Sequence, residues 1–288
     1  MPVKLSIVVP AYNEAARLKK TLPVFFNYLA GMSAKAELII VDDGSTDDTA
    51  DISRKLLAGA GELETRLISY SQNRGKGHAV RTGFLAAKGA VGVFSDADLS
   101  TPITETPKLI VPIISGSFDV TFGSRALNRR LIGSHQPWLR EQGGRVFNLV
   151  VRLMTGLKYW DTQCGFKAFR MDVCRPLFET MKTAGFGFDV ELLLLAEKAG
   201  LRLHECPVRW DHCEGSRLDL WHDSRRTFAE VNRIRRRLKS GEYEDALESV
   251  RRLAKENCRI PIDKSWDKNS NTAPSDFPAE LADPARRI

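Results

Sequence analysis

The segment VGVFSDADLSTP, Val91 to Pro102, sets two carboxylates one residue apart at the end of a short apolar run. Asp96 and Asp98 repel each other at that spacing, and holding them together is costly unless a cation lies between them. Oxygen ligands of this kind suit Mg²⁺ or Mn²⁺, which in turn suit the phosphates of a nucleotide. A solvated acidic turn is the other reading, and the pair alone does not separate the two. Asp42 and Asp43 repeat the pattern: an apolar run, two acids, then Gly44 and Ser45. An acid there can accept hydrogen bonds from a base or a ribose hydroxyl, with Ser45 left to cap the following helix. Asn73-Arg74-Gly75-Lys76-Gly77 places two cations among glycines at a helix start, where backbone N–H groups, dipole and side-chain charge all favour an anion. Asp161 to Lys167, DTQCGFK, gathers an acid, the amide of Gln163 and a cation beside aromatic residues. Asp189 and Glu191 fall in the first turn of an expected helix, where the dipole alone would account for them. His204, Cys206, His212 and Cys213 match no standard zinc spacing.

These groups need strands and helices to position them. Leu5 to Val9, Glu37 to Val41, Leu67 to Tyr70, Val91 to Ser95 and Asp119 to Phe122 read as short strands. Between them lie helical patterns at Ala15 to about Leu29, Ser45 to about Leu57, His78 to Lys88 and Glu105 to Ile114. Strands alternating with helices imply βαβ units and a largely parallel sheet, whose ligands collect beyond the carboxyl ends of the strands. The acidic motifs and PAYNE all sit at such ends, so they should converge on one crevice. Helices are expected further on at Leu139–Met154, Phe188–Ala199, Leu220–Leu238 and Tyr243–Glu256, with extended segments at Phe166–Arg170 and Leu203–Trp210.

The chain has 288 residues, 43% of them hydrophobic and 27% charged, which describes a soluble globular protein. Its formal charge of +7 favours anionic partners. Phosphorylated substrates and anionic lipid fit better than nucleic acid, for which no recognition motif is present. Five irregularly spaced cysteines argue against a disulfide framework and for a reducing, cytoplasmic setting. No stretch approaches the roughly 20 apolar residues of a spanning helix, and MPVKLSIVVP lacks a signal-peptide layout. Membrane contact is therefore expected to be peripheral, at the inner face of the cytoplasmic membrane. Ser224 to Leu238 puts Phe228, Val231, Ile234 and Leu238 on one helical face and Arg225, Arg226, Arg233, Arg236 and Arg237 largely on others. Such a helix can lie on an anionic membrane or pack on the domain. Three regions result: a catalytic α/β unit at 1–215, basic amphipathic helices at 216–257, and a Pro-, Asp-, Asn- and Ser-rich tail at 258–288, read as disordered.

Taken as a set, SIVVPAYNE, IIVDDGSTDDT, NRGKGHAVRTG, SDADLSTP, FGSRA, DTQCGFKAF, FDVELL and VRWDHCEGSRL, in this order over roughly residues 3 to 220, resemble the inverting glycosyltransferases of the GT-A fold. Within that group they resemble the dolichyl-phosphate glucosyltransferases and their bacterial relatives more than the polyprenyl-phosphate mannose synthases. The resemblance implies a Rossmann-like, mostly parallel sheet flanked by helices, and transfer of glucose from UDP-glucose to a polyprenyl phosphate with inversion. It also implies roles. Pro10, Tyr12, Glu14, Asp42 and Lys76 would hold the nucleotide, with Asp43, Arg74 and Asp96 beside them. Asp96 and Asp98 would bind the diphosphate through the metal, with Gln163 nearby, and Arg125 of FGSRA would meet the acceptor phosphate. Ser100 stands where mannose synthases often carry Gln. The family's eukaryotic members carry an N-terminal membrane anchor, which is not seen in this sequence. The same fold could also use GDP-mannose, or a hydroxyl acceptor with Asp189 or Glu191 as base. A non-catalytic binder of lipid phosphate or nucleic acid would explain the charge but not the acids gathered at strand ends.

Overall fold

The computed structural model describes residues 4–134, 138–213 and 220–257. The first half forms β1 (Leu5–Ala11), α1 (Ala15–Ala30), β2 (Ala36–Asp42), α2 (Thr49–Leu57), β3 (Glu64–Ser69), α3 (Lys76–Ala86), β4 (Val91–Ser95), α4 (Thr106–Ile114) and β5 (Val120–Ser124). The second forms β6 (Ile132–Ser134), α5 (Trp138–Thr155), β7 (Phe166–Arg170), α6 (Met171–Thr180), α7 (Phe188–Lys198), β8 (Leu203–Pro207), β9 (Trp210–Asp211), α8 (Leu220–Lys239) and α9 (Glu244–Glu256). Seven strands make one sheet in the order β3-β2-β1-β4-β7-β5-β8, and β6 pairs with β9 beside it.

Helices cover both faces of the sheet, so its central strands β1, β4 and β7 are buried along their whole length instead of alternating between buried and exposed residues. All seven residues of β1 are buried. Successive side chains point to opposite faces: Leu5, Ile7 and Val9 join the core under α1 and α4, and Val8 joins the core under α3, α6 and α7. That second core also takes in Val231 and Ile234 of α8 and Leu247 and Val250 of α9, with Phe228 and Leu238 packed against it. The apolar stripe of α8 is therefore turned into the protein, and the membrane-facing reading of that helix gives way to the packed one.

The expected parallel sheet has one reversal. β7 runs antiparallel to both β4 and β5. Because Ser95 pairs with Phe166, the loop before β7 arrives at the carboxyl end of β4, and Asp96 N donates to Gly165 O at 3.1 Å. The DTQCG motif reaches the acidic pair only because its strand runs backwards.

Other boundaries also differ. α2 begins at Thr49, not at Ser45. Asp47 Oδ1 accepts from Thr49 N at 3.0 Å, while Ser45 Oγ accepts from Asn13 N at 2.9 Å. The expected extended run at Leu203–Trp210 breaks after Pro207, and Trp210–Asp211 pairs with β6 instead. α6 has no counterpart in the sequence expectation; Val173, Cys174, Leu177 and Phe178 are its buried face. The tail at 258–288, residues 214–218 of the last family motif and the side chain of Arg225 lie outside the described residues.

A buried charge cluster ties the second half together. Asp119 is bound by Arg170 Nη1 at 3.1 Å and by Arg202 Nη2 at 2.9 Å and Nε at 3.0 Å. Arg170 is 1% exposed and also donates to Asn257 O beyond α9. Burial raises the Asp119 carboxyl, but its hydrogen bonds and ion pair with Arg202 prevail and hold it below the usual carboxylate range. Its contribution to stability is thus present above the unfolded carboxylate pKa, about 4, and is lost as pH falls through the lowered folded value. Asp119→Ala is expected to cost about 3 kcal/mol in urea unfolding at pH 7, since it strips a partner from a buried guanidinium. The difference from wild type should shrink on acidification; a pH-independent difference would contradict the ion-pair account.

Candidate active site

One cavity of about 450 Å³ opens at the carboxyl ends of β1, β2 and β4. Pro10, Tyr12, Glu14, Asp43, Lys76, Asp96 and Asp98 line it, so seven of the residues singled out in the sequence converge as expected. Two turns there use uncommon backbone. Asn13 has φ +55° and Leu99 φ +52°, positive values that cost energy outside glycine and cluster at functional sites. Asn13 offsets the cost locally: its Oδ1 accepts from Thr46 N at 2.8 Å, and Glu14 N donates to Thr49 Oγ1 at 2.8 Å. The PAYNE turn and the loop after β2 are stitched together.

The repulsion among the acids of the cavity is only partly compensated. Burial raises the Glu14 carboxyl and Arg17 pulls it down. Asp98 and Asp96 push it up again, and the net shift is upward. Asp96 is met by Lys76, whose Nζ lies 2.6 Å from Oδ1. Burial lowers the Lys76 ammonium, but the charges of Asp96 and Asp189 outweigh it and the net shift is upward, so the lysine stays charged. Asp98 Oδ1 accepts from Ser100 N at 2.9 Å. Among the described residues no cluster of three metal-ligating side chains forms. Two carboxylates open to a cavity nevertheless fit Mg²⁺ or Mn²⁺, which take one or two carboxylates and complete their shell with water and substrate phosphates.

Several expected site residues are elsewhere. Asp42 turns away from the cavity: its oxygens accept from Ser45 N at 3.2 Å and Ser69 Oγ at 2.8 Å. Asp43 faces the cavity but organises the basic loop, accepting from Arg74 N at 2.9 Å and from Gly75 N and Asn73 Nδ2 at 2.8 Å. The Arg74 guanidinium lies over the Tyr70 ring, 5.5 Å from its centroid, and does not line the cavity. Arg125 is clamped by Asp161, with Nε 2.6 Å and Nη2 2.8 Å from the two carboxylate oxygens, and stacks near Trp210. Asp161 in turn falls below the usual range: burial raises it, and Arg125 more than reverses that. Asp189 is buried against Lys167, Nζ to Oδ1 2.5 Å, and Glu191 accepts from Lys182 N, Thr183 N and Tyr243 Oη. Gln163 is half-buried outside the cavity lining.

Other residues line the cavity without having been singled out as site residues: Arg17, Asn73, Phe186, Arg226, Thr227 and Glu230 among them. Gly165 is a further one in effect. A Cβ there would lie 1.8 Å from Asp96 Oδ2, so only glycine lets that carboxylate sit where it does.

Residues 6–178 match the sequence pattern of Glycosyl transferase family 2. The chain belongs to that family. Among family relatives, the dolichyl-phosphate beta-glucosyltransferase of Saccharomyces cerevisiae is 35% identical over 257 residues, 84% of this chain and 77% of that protein. The human protein of the same description is 31% identical over 75% of this chain and 69% of its own. Solved structures share the fold at lower identity. Glucosyl-3-phosphoglycerate synthase from Mycobacterium tuberculosis, in complex with Mn²⁺, UDP and glucosyl-3-phosphoglycerate, matches with TM-score 0.57 at 21% identity over 81% of this chain and 80% of that one. A mannosyltransferase from Pyrobaculum calidifontis, in complex with GDP-Man and Mn²⁺, matches with TM-score 0.54 at 19% identity over 89% and 77%. This family 2 chain thus has the GT-A-like sheet that its motifs imply, with the DAD carboxylates on the lining of its cavity.

Gly165→Ala should displace Asp96 and weaken binding of Mn²⁺ together with a nucleoside diphosphate by about 10–100-fold, the usual effect of disturbing a metal ligand's support. Isothermal calorimetry reads the affinity and thermal unfolding controls for the fold. Wild-type affinity in a folded variant would mean that Asp96 does not depend on this contact.

Proposed function

We propose that this glycosyltransferase moves glucose from UDP-glucose to a polyprenyl phosphate, with inversion at the anomeric carbon. The observation that carries the proposal is the cavity in which Glu14, Asp96, Asp98 and Lys76 meet, in a chain whose relatives are named dolichyl-phosphate beta-glucosyltransferases. Tyr12 is 44% exposed on the cavity wall and offers a ring for the base, with Pro10 beside it. Asp96 and Asp98 would hold Mg²⁺ or Mn²⁺. When bound, that ion supplies neutralisation of charge on the departing diphosphate.

The acceptor phosphate monoester has a second pKa of about 6 and is already a nucleophile at neutral pH. Its oxygen forms a bond to the anomeric carbon as the bond to UDP breaks, and the protein's task is positioning and charge neutralisation. A hydroxyl acceptor would need a base instead. The acids weighed for that role are engaged: Asp189 by Lys167, and Glu191 by two backbone amides and a tyrosine. That supports the phosphate acceptor.

The lipid acceptor implies a membrane surface, and we assign it to α5 rather than α8. Val146, Leu149 and Leu153 recur along α5 and are 61%, 52% and 77% exposed, with Trp160 at 56% just beyond. Arg152 lies over the Trp160 ring at 4.3 Å, giving the patch a cation at its edge. An apolar stripe flanked by cations suits an anionic bilayer. No helix among the described residues is long and apolar enough to cross a membrane, so the contact proposed is peripheral.

A thermal-shift screen of UDP-, GDP- and dTDP-sugars with and without Mn²⁺ tests the donor; UDP-glucose with Mn²⁺ should stabilise most. Asp98→Ala should then lower turnover of UDP-glucose and polyprenyl phosphate by about 10²–10³-fold, and wild-type turnover would refute the metal role. Leu149→Glu with Leu153→Glu should cut sedimentation with anionic vesicles by about tenfold or more, given the apolar area withdrawn from lipid. Activity on a short, soluble polyprenyl phosphate should be retained. Unchanged vesicle binding would remove α5 from the interface.

A further inference from the structure

Among the described residues three cations line the cavity: Arg17, Lys76 and Arg226. Two of them face carboxylates. Arg17 Nη1 lies 2.7 and 2.8 Å from the two Glu14 oxygens, and Lys76 Nζ lies 2.6 Å from Asp96 Oδ1. Arg226, on α8, is exposed and makes no hydrogen bond or ion pair with the described residues. Arg125, the arginine that the motifs nominate for a phosphate, has its fork closed by Asp161 and lies off the cavity lining.

The placement of Arg226 is not incidental, because α8 is fixed against the cavity wall. One turn further on, Glu230 Oε2 accepts from Gly187 N at 2.8 Å. The packing is close: a Cβ on Gly185 would lie 2.2 Å from Glu230 Oε1. The same loop grips α3, since Ala184 O accepts from Gly77 N at 2.7 Å. Thr227 is 4% exposed between them. Arg226 is thereby held on the lining that it shares with Lys76 and the acidic pair, without a hydrogen bond or ion pair to the described residues.

We propose that Arg226 binds a phosphoryl group in the cavity, a role that rests on the transferase reading above. A guanidinium presents a planar fork that matches phosphate oxygens in pairs. Two phosphoryl sources meet at this site: the diphosphate of the nucleotide and the monoester of the acceptor. The chemistry required of Arg226 is the same for both.

Arg226→Gln and Arg226→Lys test the assignment. Being exposed, the position should leave the unfolding temperature near that of wild type. Loss of a charge-assisted contact should appear as about a tenfold effect in one of two readouts. If the donor diphosphate is the ligand, calorimetry with Mn²⁺ should show Arg226→Gln weakening UDP but not uridine. If the acceptor is the ligand, UDP affinity should hold while KM for polyprenyl phosphate rises. Lysine, which keeps charge without the fork, should recover part of either loss. UDP affinity and acceptor KM both within about twofold of wild type, less than a single charged hydrogen bond contributes, would overturn the proposal. Failure of the wild-type protein to glucosylate polyprenyl phosphate would instead sink the functional reading. Arg226 would then stand or fall on the UDP-versus-uridine difference alone.

Discussion

Glu14, Asp96 and Asp98 bring three carboxylates to one cavity, and their mutual repulsion is the constraint around which the neighbouring structure is arranged. Burial is the main cause of the upward shift of Glu14, and the charges of Asp98 and Asp96 add to it. Lys76 relieves part of it at Asp96, and Arg17 relieves part at Glu14. Neither cation touches Asp98, whose Oδ1 is met by a backbone amide. A site of this kind gains most from an added cation that brings its own oxygen ligands, which describes a divalent metal carrying a diphosphate.

The supporting contacts share one purpose, which is to keep the loops at the strand ends from relaxing apart. Asn13 joins the β1 turn to the β2 loop, and Asp43 joins the β2 loop to the basic loop before α3. Gly77 then joins α3 to the loop before α7, and Glu230 joins that loop to α8. Each link is a hydrogen bond between segments distant in sequence. Together they run from β1 to α8 around the cavity.

Much of this could be read from the residues. Apolar runs separated by helical periods gave the parallel sheet, and strand-end placement brought Tyr12, Glu14, Asp43, Asp96 and Asp98 together. What failed did so for geometric reasons. Asp42 and Asp43 are adjacent, and adjacent residues leaving a strand point to opposite sides; only the register of the sheet decides which one sees the cavity. Arg74 and Lys76 also part, because Arg74 stacks on Tyr70 from the loop while Lys76 faces Asp96 from the first position of α3. The polar residues of α8 that reach the cavity depend on how its apolar stripe docks, which no local pattern encodes. A lone Gly165 gave no signal at all until its neighbour was known.

The reversal of β7 matters most for the chemistry, because strand direction decides which loop a motif delivers. Had β7 run parallel to β4, residues 161–165 would lie at the opposite edge of the sheet from the DAD carboxylates. Antiparallel pairing places Gly165 against Asp96 and puts the Asp161–Arg125 clamp at the same end. The clamp lies outside the cavity lining and is rigid. Arg125 bound on two nitrogens by a buried carboxylate has little freedom to reorganise around a substrate. Asp161 is itself pinned by Glu205, which accepts from its backbone N–H at 2.8 Å. With Arg125 held by Asp161 and the cavity's lysine and Arg17 already paired, the recognition of further phosphate is left to a cation that carries no such partner. Among the described lining residues that cation is on α8, so this helix is joined to the site by chemistry as well as by packing.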